Sequence, residues 1–127
     1  MKTTVLIARN LLGLIFLVFG LNGFFHFIPM PPPAGLAGQF MGAAFVSNYL
    51  VPVFLLQVAG GALLLANRFT PLALVLLGPV IVNILMFHAF MAPEGLPMAV
   101  VVTALWGTVY FSVRRVFSGL WLAKVPA

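Results

Sequence analysis

The stretch Gly20–Pro33, with the sequence GLNGFFHFIPMPPP, ends the first apolar segment of this chain. It places Asn22 and His26 four residues apart in apolar sequence, and then sets four prolines within five residues. Proline lacks an N–H and clashes with the preceding turn, so a helix cannot continue through this stretch. A related pattern, Asn83–Pro93 with the sequence NILMFHAFMAP, follows a later apolar segment. We therefore expect two helices to end in similar mixtures of polar and aromatic residues.

The composition of the chain points to a lipid environment. Of its 127 residues, 64% are hydrophobic and 6% are charged, whereas a soluble globular domain carries about 25% charged residues. The few basic residues are scattered between apolar runs, which is not the pattern of a nucleic-acid-binding surface. The absence of cysteine excludes disulfides, thiolate metal sites and a CxxC redox pair within this chain.

Four apolar segments are long enough to cross a bilayer, which requires about 20 residues in a helix. The sequence therefore predicts a single all-α domain over residues 1–127, organised as a four-transmembrane-helix bundle. Residues 34–46 are too short to span, and they predict an interfacial or re-entrant helix between the first two spans. The first segment is too long for a signal-peptide core and lacks a small-residue cleavage site, which predicts a retained helix. The predicted spans are residues 11–28, 50–66, 71–90 and 98–116.

The basic residues predict an orientation. All six fall on the same side of a four-span arrangement, and the two loops on the other side, residues 29–49 and 91–97, hold only the acidic Glu94. Because basic residues favour the cytoplasmic side, both termini are predicted to face the cytoplasm of a bacterial inner membrane. The six are Lys2, Arg9, Arg68, Arg114, Arg115 and Lys124.

Polar side chains within the spans are the candidate site residues, because polar groups in hydrocarbon usually face the interior of a bundle or water. From the helical rise of about 1.5 Å per residue, two pairs are predicted at similar depths near the outer surface. The first pair shares one helix face at i,i+4 spacing, whereas the second is offset by about 140° on an ideal helix. The pairs are Asn22 with His26, and Asn83 with His88.

These four residues leave several kinds of site open. They could supply hydrogen-bond donors to a quinone or a lipid headgroup in a cleft lined by Phe and Met, or they could satisfy loop carbonyls and helix contacts in a purely structural role. A haem between His26 and His88, or a metal site completed by Glu94, is disfavoured, because nothing in the spacing enforces ligand geometry. Structural polar roles are predicted for Arg9, Arg68 and Gln57, with Gln57 bonded to a neighbouring helix.

Three stretches carry a resemblance to a known family: ARNLLGLIFLVFGLNGFFHFIP, GGALLLANRFTPLAL and NILMFHAF. In their order and spacing they resemble the DoxX family of small four-helix membrane proteins, which is similar to the membrane subunit of thiosulfate:quinone oxidoreductase. The resemblance covers about residues 8–117. Family sequences often carry lysine in place of Gly23 and an acid in place of Gln57. The matching positions are Arg9, Asn22, Phe25, His26, Gly61, Arg68, Pro71, Asn83 and His88.

The resemblance implies an accessory subunit of a larger membrane-bound redox or respiratory complex, without catalysis of its own. A quinone-binding oxidoreductase subunit with a pocket near the periplasmic face is the alternative, and a small transporter or lipid-handling protein is the third. Quinone is the one cofactor that these readings include. The predicted partners are the bilayer and a larger membrane complex, with a homo-oligomer left open and nucleic acid excluded.

Overall fold

The computed structural model describes residues 2–126, and within them the chain is helical without any β-strand. The prediction of an all-α protein is confirmed. Two short 3₁₀ segments, Pro93–Gly95 and Arg114–Trp121, flank the last helix. The five α-helices are α1 (Lys2–Phe25), α2 (Gly35–Val46), α3 (Val51–Ala66), α4 (Thr70–Phe90) and α5 (Leu96–Val113).

Helix α1 begins earlier and ends earlier than the predicted segment 11–28. It ends at Phe25, because His26 takes a φ of 53° in the left-handed region and the chain turns away. The Asn22 side chain holds this turn by accepting a hydrogen bond from the Ile28 backbone N–H at 2.7 Å. The expectation that Asn22 and His26 share one helix face is therefore wrong, since His26 lies outside the helix.

Helix α5 also ends before its predicted limit of residue 116. Side chains at and just after its last turn bond to the backbone carbonyls there: Ser112 Oγ donates to Val109 O at 2.6 Å, and Arg114 donates to Phe111 O at 2.6 Å. The Arg114 guanidinium also lies over the Phe111 ring, 3.9 Å from its centroid. Such local bonds compete with the regular helical pattern, and the chain continues as a 3₁₀ segment.

Helices α1 and α3 run antiparallel with their backbones in close contact, because glycines lie where they meet. A Cβ atom added to Gly61 would lie 2.6 Å from Leu17 N and 2.7 Å from Gly13 O. Further along α1, a Cβ atom added to Gly20 would lie 2.9 Å from Gln57 Cβ of α3. Small residues allow this approach between membrane helices, where lipid supplies no hydrophobic driving force for association.

Helix α4 packs against α3 and α5. Gly60 of α3 faces Leu77, so the adjacent glycines of α3 serve two different neighbours. The Trp106 indole of α5 donates a hydrogen bond to the Leu74 backbone carbonyl at 3.0 Å, which fixes α5 beside α4. Fully buried side chains from four helices fill the interior: Leu12, Phe16, Leu64, Leu74, Leu77 and Val109.

The helices differ in how well they meet the requirements for a membrane span. Three segments are long and apolar enough to cross: α1, α4, and α5 together with its flanking 3₁₀ segments. Helix α3 has 16 residues, and it meets the requirement only jointly with α2, from which it is bent by 87°. These apolar helices are compatible with a multi-pass membrane protein.

The bundle has two chemically different ends. At one end, the basic end, the start of α1 and the turn between α3 and α4 lie beside the C-terminal end of α5. The basic residues at this end are Lys2, Arg9, Arg68, Arg114 and Arg115. At the loop end, α1 and α4 finish, and residues 26–34, the proline loop, lead into α2. Glu94, the one acidic residue, lies in the 3₁₀ segment between α4 and α5.

Candidate ligand site

A cavity of about 940 Å³, the loop-end cavity, lies beneath the proline loop and α2. Its size falls in the range of about 300–1,000 Å³ that small-molecule sites occupy. Its lining comes from α1, α2, α3, α4 and the loop, and none of these residues is Asp, Glu, Lys or Arg. The lining residues are Phe19, Asn22, Gly23, His26, Ile28, Pro29, Met30, Pro31, Pro32, Pro33, Gly38, Met41, Gly42, Phe45, Phe54, Gln57 and Phe87.

Asn22 builds the wall of the cavity and holds the proline loop against α1. Its Oδ1 accepts from the Ile28 N–H at 2.7 Å, and its Nδ2 donates to the Ile28 carbonyl at 3.4 Å. Nδ2 also lies 3.9 Å from the sulfur of Met30. Because both ends of this amide are committed to the loop, Asn22 supports the cavity and has little capacity left for a ligand.

His26 is the titratable side chain of the cavity lining. It lies on the outer side of the turn after α1 and is exposed. Its ring packs against Phe45 of α2, with 6.2 Å between the ring centroids. An imidazole presents one N–H donor and one acceptor when neutral, so His26 can bond a polar ligand group at the mouth of the cavity.

Gln57 provides the deep polar group. Its side chain is only 8% exposed and lines the cavity, yet no residue between 2 and 126 hydrogen-bonds to its amide. Within residues 2–126, every side-chain nitrogen or oxygen that is fully inaccessible to water has a hydrogen-bond partner. The Gln57 amide has none, so it is accessible, and the cavity that it lines is where it is open. The prediction that Gln57 bonds a neighbouring helix is wrong. Because these amide atoms are accessible from the cavity, a polar ligand group that enters it can hydrogen-bond to them.

The other predicted pair lies away from the cavity lining. Asn83 is exposed, and its Nδ2 donates to the Pro79 carbonyl one turn back on its own helix at 2.9 Å. The His88 Nδ1 lies 3.0 Å from the Ala92 carbonyl, and its ring packs against Gly95 at the start of α5. The structure thus brings Asn22 and His26 to the cavity, whereas Asn83 and His88 shape α4 and the turn after it.

Aromatic side chains hold α2 over the cavity. Phe40 lies 5.7 Å from Phe87 of α4, and Phe45 lies 5.8 Å from Phe54 of α3, measured between ring centroids. Between these contacts, a Cβ on Gly42 would have no heavy atom within 4 Å. The cavity therefore extends up to the backbone of α2, with aromatic rings around it.

The predicted structural arginines lie at the basic end. Arg9 donates a hydrogen bond to the Leu64 carbonyl near the end of α3. Arg68 lies exposed in the turn between α3 and α4, and its backbone N–H donates to the Leu63 carbonyl at 3.0 Å. Neither arginine lines the loop-end cavity.

Sequence reasoning expected a cleft lined by Phe and Met at this end of the bundle, but it did not place Gln57 in that lining. A signal for Gln57 was present, because it is the lone amide side chain in an otherwise apolar helix. Within residues 2–126, no three His, Cys, Asp or Glu side chains come together in a way that could hold a metal ion. Comparison of the chain with protein-family models, curated proteins and solved structures finds no match.

Proposed function

We propose that this chain is a membrane protein that binds an uncharged amphiphile, such as a quinone, in the loop-end cavity. The observation that carries the proposal is the Gln57 amide, which lacks a hydrogen-bond partner within residues 2–126 and is open to a mainly apolar cavity. Ligand sites combine a mainly apolar lining with a few polar groups that fix orientation. Gln57 at the deep end and His26 at the mouth fit this description.

The charge of the lining selects the ligand class. With no Asp, Glu, Lys or Arg in its lining, the cavity offers no permanently charged side chain to pair with a phosphate or an ammonium group. A ring that carries carbonyl groups needs only donors, which the Gln57 amide and a His26 ring N–H supply. Phe45, Phe54 and Phe87 provide faces against which such a ring can pack. These features support a quinone headgroup, with its apolar tail leaving the cavity toward the membrane.

The membrane arrangement that we propose has four spans, with α3 as the second. At about 1.5 Å per residue, its 16 residues reach only about 24 Å. The cavity and α2 would then fill the rest of the membrane thickness at that end. The concentration of basic residues at the opposite end supports a cytoplasmic location for both termini under the positive-inside rule. The loop-end cavity would accordingly open near the outer surface of a bacterial inner membrane.

The test is purification in dodecyl maltoside from the native membrane, followed by mass spectrometry of the bound small molecules. We expect one uncharged amphiphile per chain in the wild type. Gly42→Phe should abolish its retention, because position 42 has space for a side chain that would occupy the cavity. Gly107→Phe is the matched control, since it also has no neighbour within 4 Å but lies outside the cavity lining. An empty wild type, or equal loss in both variants, would overturn the proposal.

A second candidate function is an accessory subunit of a larger membrane redox complex, as the resemblance to the DoxX family implies. The exposure of α5 favours this function. In the most apolar 18 residues of the segment that contains α5, 17% of the residues are buried, against 33% in the corresponding stretch of α1. A helix that packs on one side only leaves a face that a partner subunit could cover.

The absence of cysteine in the chain makes this second candidate testable, because one introduced cysteine is a unique attachment point. Val101→Cys places a crosslinker on the exposed side of α5, and Val75→Cys places it on α4 at similar exposure, 49% against 51%. In native membranes, the first variant should capture one protein in stoichiometric yield, and the second should not. Equal capture from both positions, or none, would argue against a dedicated partner surface on α5.

A further inference from the structure

A second cavity, the basic-end cavity, lies at the opposite end of the bundle from the proposed ligand site. It has a volume of about 410 Å³ and lies among the start of α1, the start of α4 and the end of α5. Its lining combines two cations and three uncharged polar residues with apolar side chains. The lining residues are Lys2, Val5, Leu6, Arg9, Asn67, Thr70, Val109, Ser112 and Val113.

The charge of this cavity is not neutralised by its own lining. Lys2 and Arg9 contribute two positive charges, and the lining contains no acid. Glu94, the one acidic residue of the chain, belongs to the 3₁₀ segment at the far end of the bundle. Arg9 is only partly exposed and donates to the Leu64 carbonyl, but a guanidinium carries five N–H donors. Its remaining donors stay available to an anion in the cavity.

Further donors surround the two cations. Asn67, in the turn before α4, brings an amide, and Thr70, the first residue of α4, brings a hydroxyl; no side chain within residues 2–126 caps the first turn of α4. The first turn of a long helix adds a partial positive charge that favours anions. Ser112 contributes less, because its hydroxyl donates to Val109 O at 2.6 Å. Charge and donor chemistry therefore both select an anionic oxygen group.

The apolar part of the lining indicates where the rest of such a ligand lies. Val5 and Leu6 lie on α1 beside the cations, and Leu6 is 50% exposed. A phosphate attached to a lipid would place its charge on Lys2 and Arg9 and its first apolar carbons along these side chains. Basic pockets between transmembrane helices on the cytoplasmic side bind anionic lipid headgroups in this way.

We infer that the basic-end cavity is a phosphate-binding site, formed by Lys2 and Arg9 with donors from Asn67 and Thr70, that takes the headgroup of an anionic lipid. A free phosphate shares the chemistry that these residues recognise, so the experiment must separate the two sources. The site is independent of the loop-end cavity, and the failure of either leaves the other unaffected.

The experiment uses the full-length protein in nanodiscs of phosphatidylcholine with added phosphatidylglycerol, with retained lipid counted by native mass spectrometry. Arg9→Gln and Lys2→Gln should each lower the apparent affinity for phosphatidylglycerol about fivefold, as expected for one basic residue near an anionic headgroup. Arg115→Gln is the matched control, because it removes the same charge from an exposed residue outside the cavity. It should leave the affinity unchanged.

A second measurement identifies the source of the phosphate. Inorganic phosphate is titrated into the protein in dodecyl maltoside, which contains no phosphate, and its ³¹P signal is followed. Broadening that Lys2→Gln removes would support a free-phosphate site, whereas no broadening together with selective lipid loss would support the headgroup. If Arg9→Gln fails to fold, the Lys2→Gln variant provides the test, because Lys2 is exposed and its substitution leaves the packing of the bundle intact. Equal lipid loss in all three variants, or in none, would overturn the inference.

Discussion

The contact between α1 and α3 makes a sharp prediction at Gly61. In Gly61→Ala the new Cβ would lie 2.6 Å from Leu17 N, which falls about 0.8 Å short of the 3.4 Å at which ordinary contact begins. The neighbouring atoms are backbone, including Gly13 O at 2.7 Å, so no side-chain rotation can relieve the clash. The two helices must therefore move apart along their main contact.

The magnitude follows from two opposing terms. Overpacking of a close contact costs about 1–3 kcal/mol. Alanine is favoured over glycine inside a helix by about 0.5–1 kcal/mol, which offsets part of that cost. We expect Gly61→Ala to lower the free energy of unfolding by up to about 2.5 kcal/mol, and by about 1–3 kcal/mol relative to an alanine that gains the helical benefit without the overpacking. Gly107→Ala has the same helical benefit without any neighbour within 4 Å, so it should be neutral or slightly stabilising.

The assay is reversible unfolding in mixed micelles of dodecyl maltoside and sodium dodecyl sulfate, followed by far-ultraviolet circular dichroism. The two alanine variants are compared in the same series, because the helical term cancels between them. A Gly61→Ala protein as stable as Gly107→Ala would refute the close backbone contact between α1 and α3.

The remaining predictions concern single contacts and use the same assay except where stated. Asn22→Ala should cost about 1–3 kcal/mol, because the Ile28 N–H loses its acceptor, whereas Asn83→Ala on the exposed side of α4 should cost clearly less; similar losses would contradict the role of Asn22. Trp106→Phe should cost about 0.6–1 kcal/mol through its lost bond to α4, and Trp121→Phe, at an 81% exposed position, should cost nothing measurable. Phe40→Ala should speed amide hydrogen exchange in α2 but not in α4, since α2 is held by ring contacts, and unchanged exchange in α2 would contradict this.

The helices were readable from the sequence because composition and length control them. Apolar runs between prolines, glycines and basic residues predicted an all-helical structure. The positions of the basic residues between these runs predicted that they cluster at one end of the bundle. The end of α1 was harder to predict, because it depends on one side chain, Asn22, that reaches forward to Ile28 and draws the chain out of the helix. Hydropathy carries no information about such a bond.

The candidate site was only partly predictable for a related reason. Asn22 and His26 lie beside the cavity because they adjoin the proline loop, which the sequence marks clearly. The direction of the Gln57 side chain depends on which helix packs opposite it and on the lack of a hydrogen-bond partner for it among residues 2–126, and both are properties of the packed bundle. Asn83 illustrates the reverse case, since a polar residue in a span can bond to its own helix and face outward.

The central claim is that the Gln57 amide binds the polar head of an uncharged ligand. It is tested most directly by Gln57→Leu in nanodiscs, with a short-chain benzoquinone as the probe and equilibrium dialysis as the readout. The matched control is Gln39→Leu, the same substitution at an exposed position of α2 outside the cavity lining.

The account predicts that Gln57→Leu weakens quinone binding about fivefold, equivalent to one hydrogen bond of about 1 kcal/mol, while Gln39→Leu leaves it unchanged. It also predicts that the ligand-free Gln57→Leu protein is at least as stable as the wild type, because the amide that it loses has no partner within residues 2–126. Unchanged quinone affinity together with reduced stability would contradict the account and assign Gln57 to the architecture of the bundle.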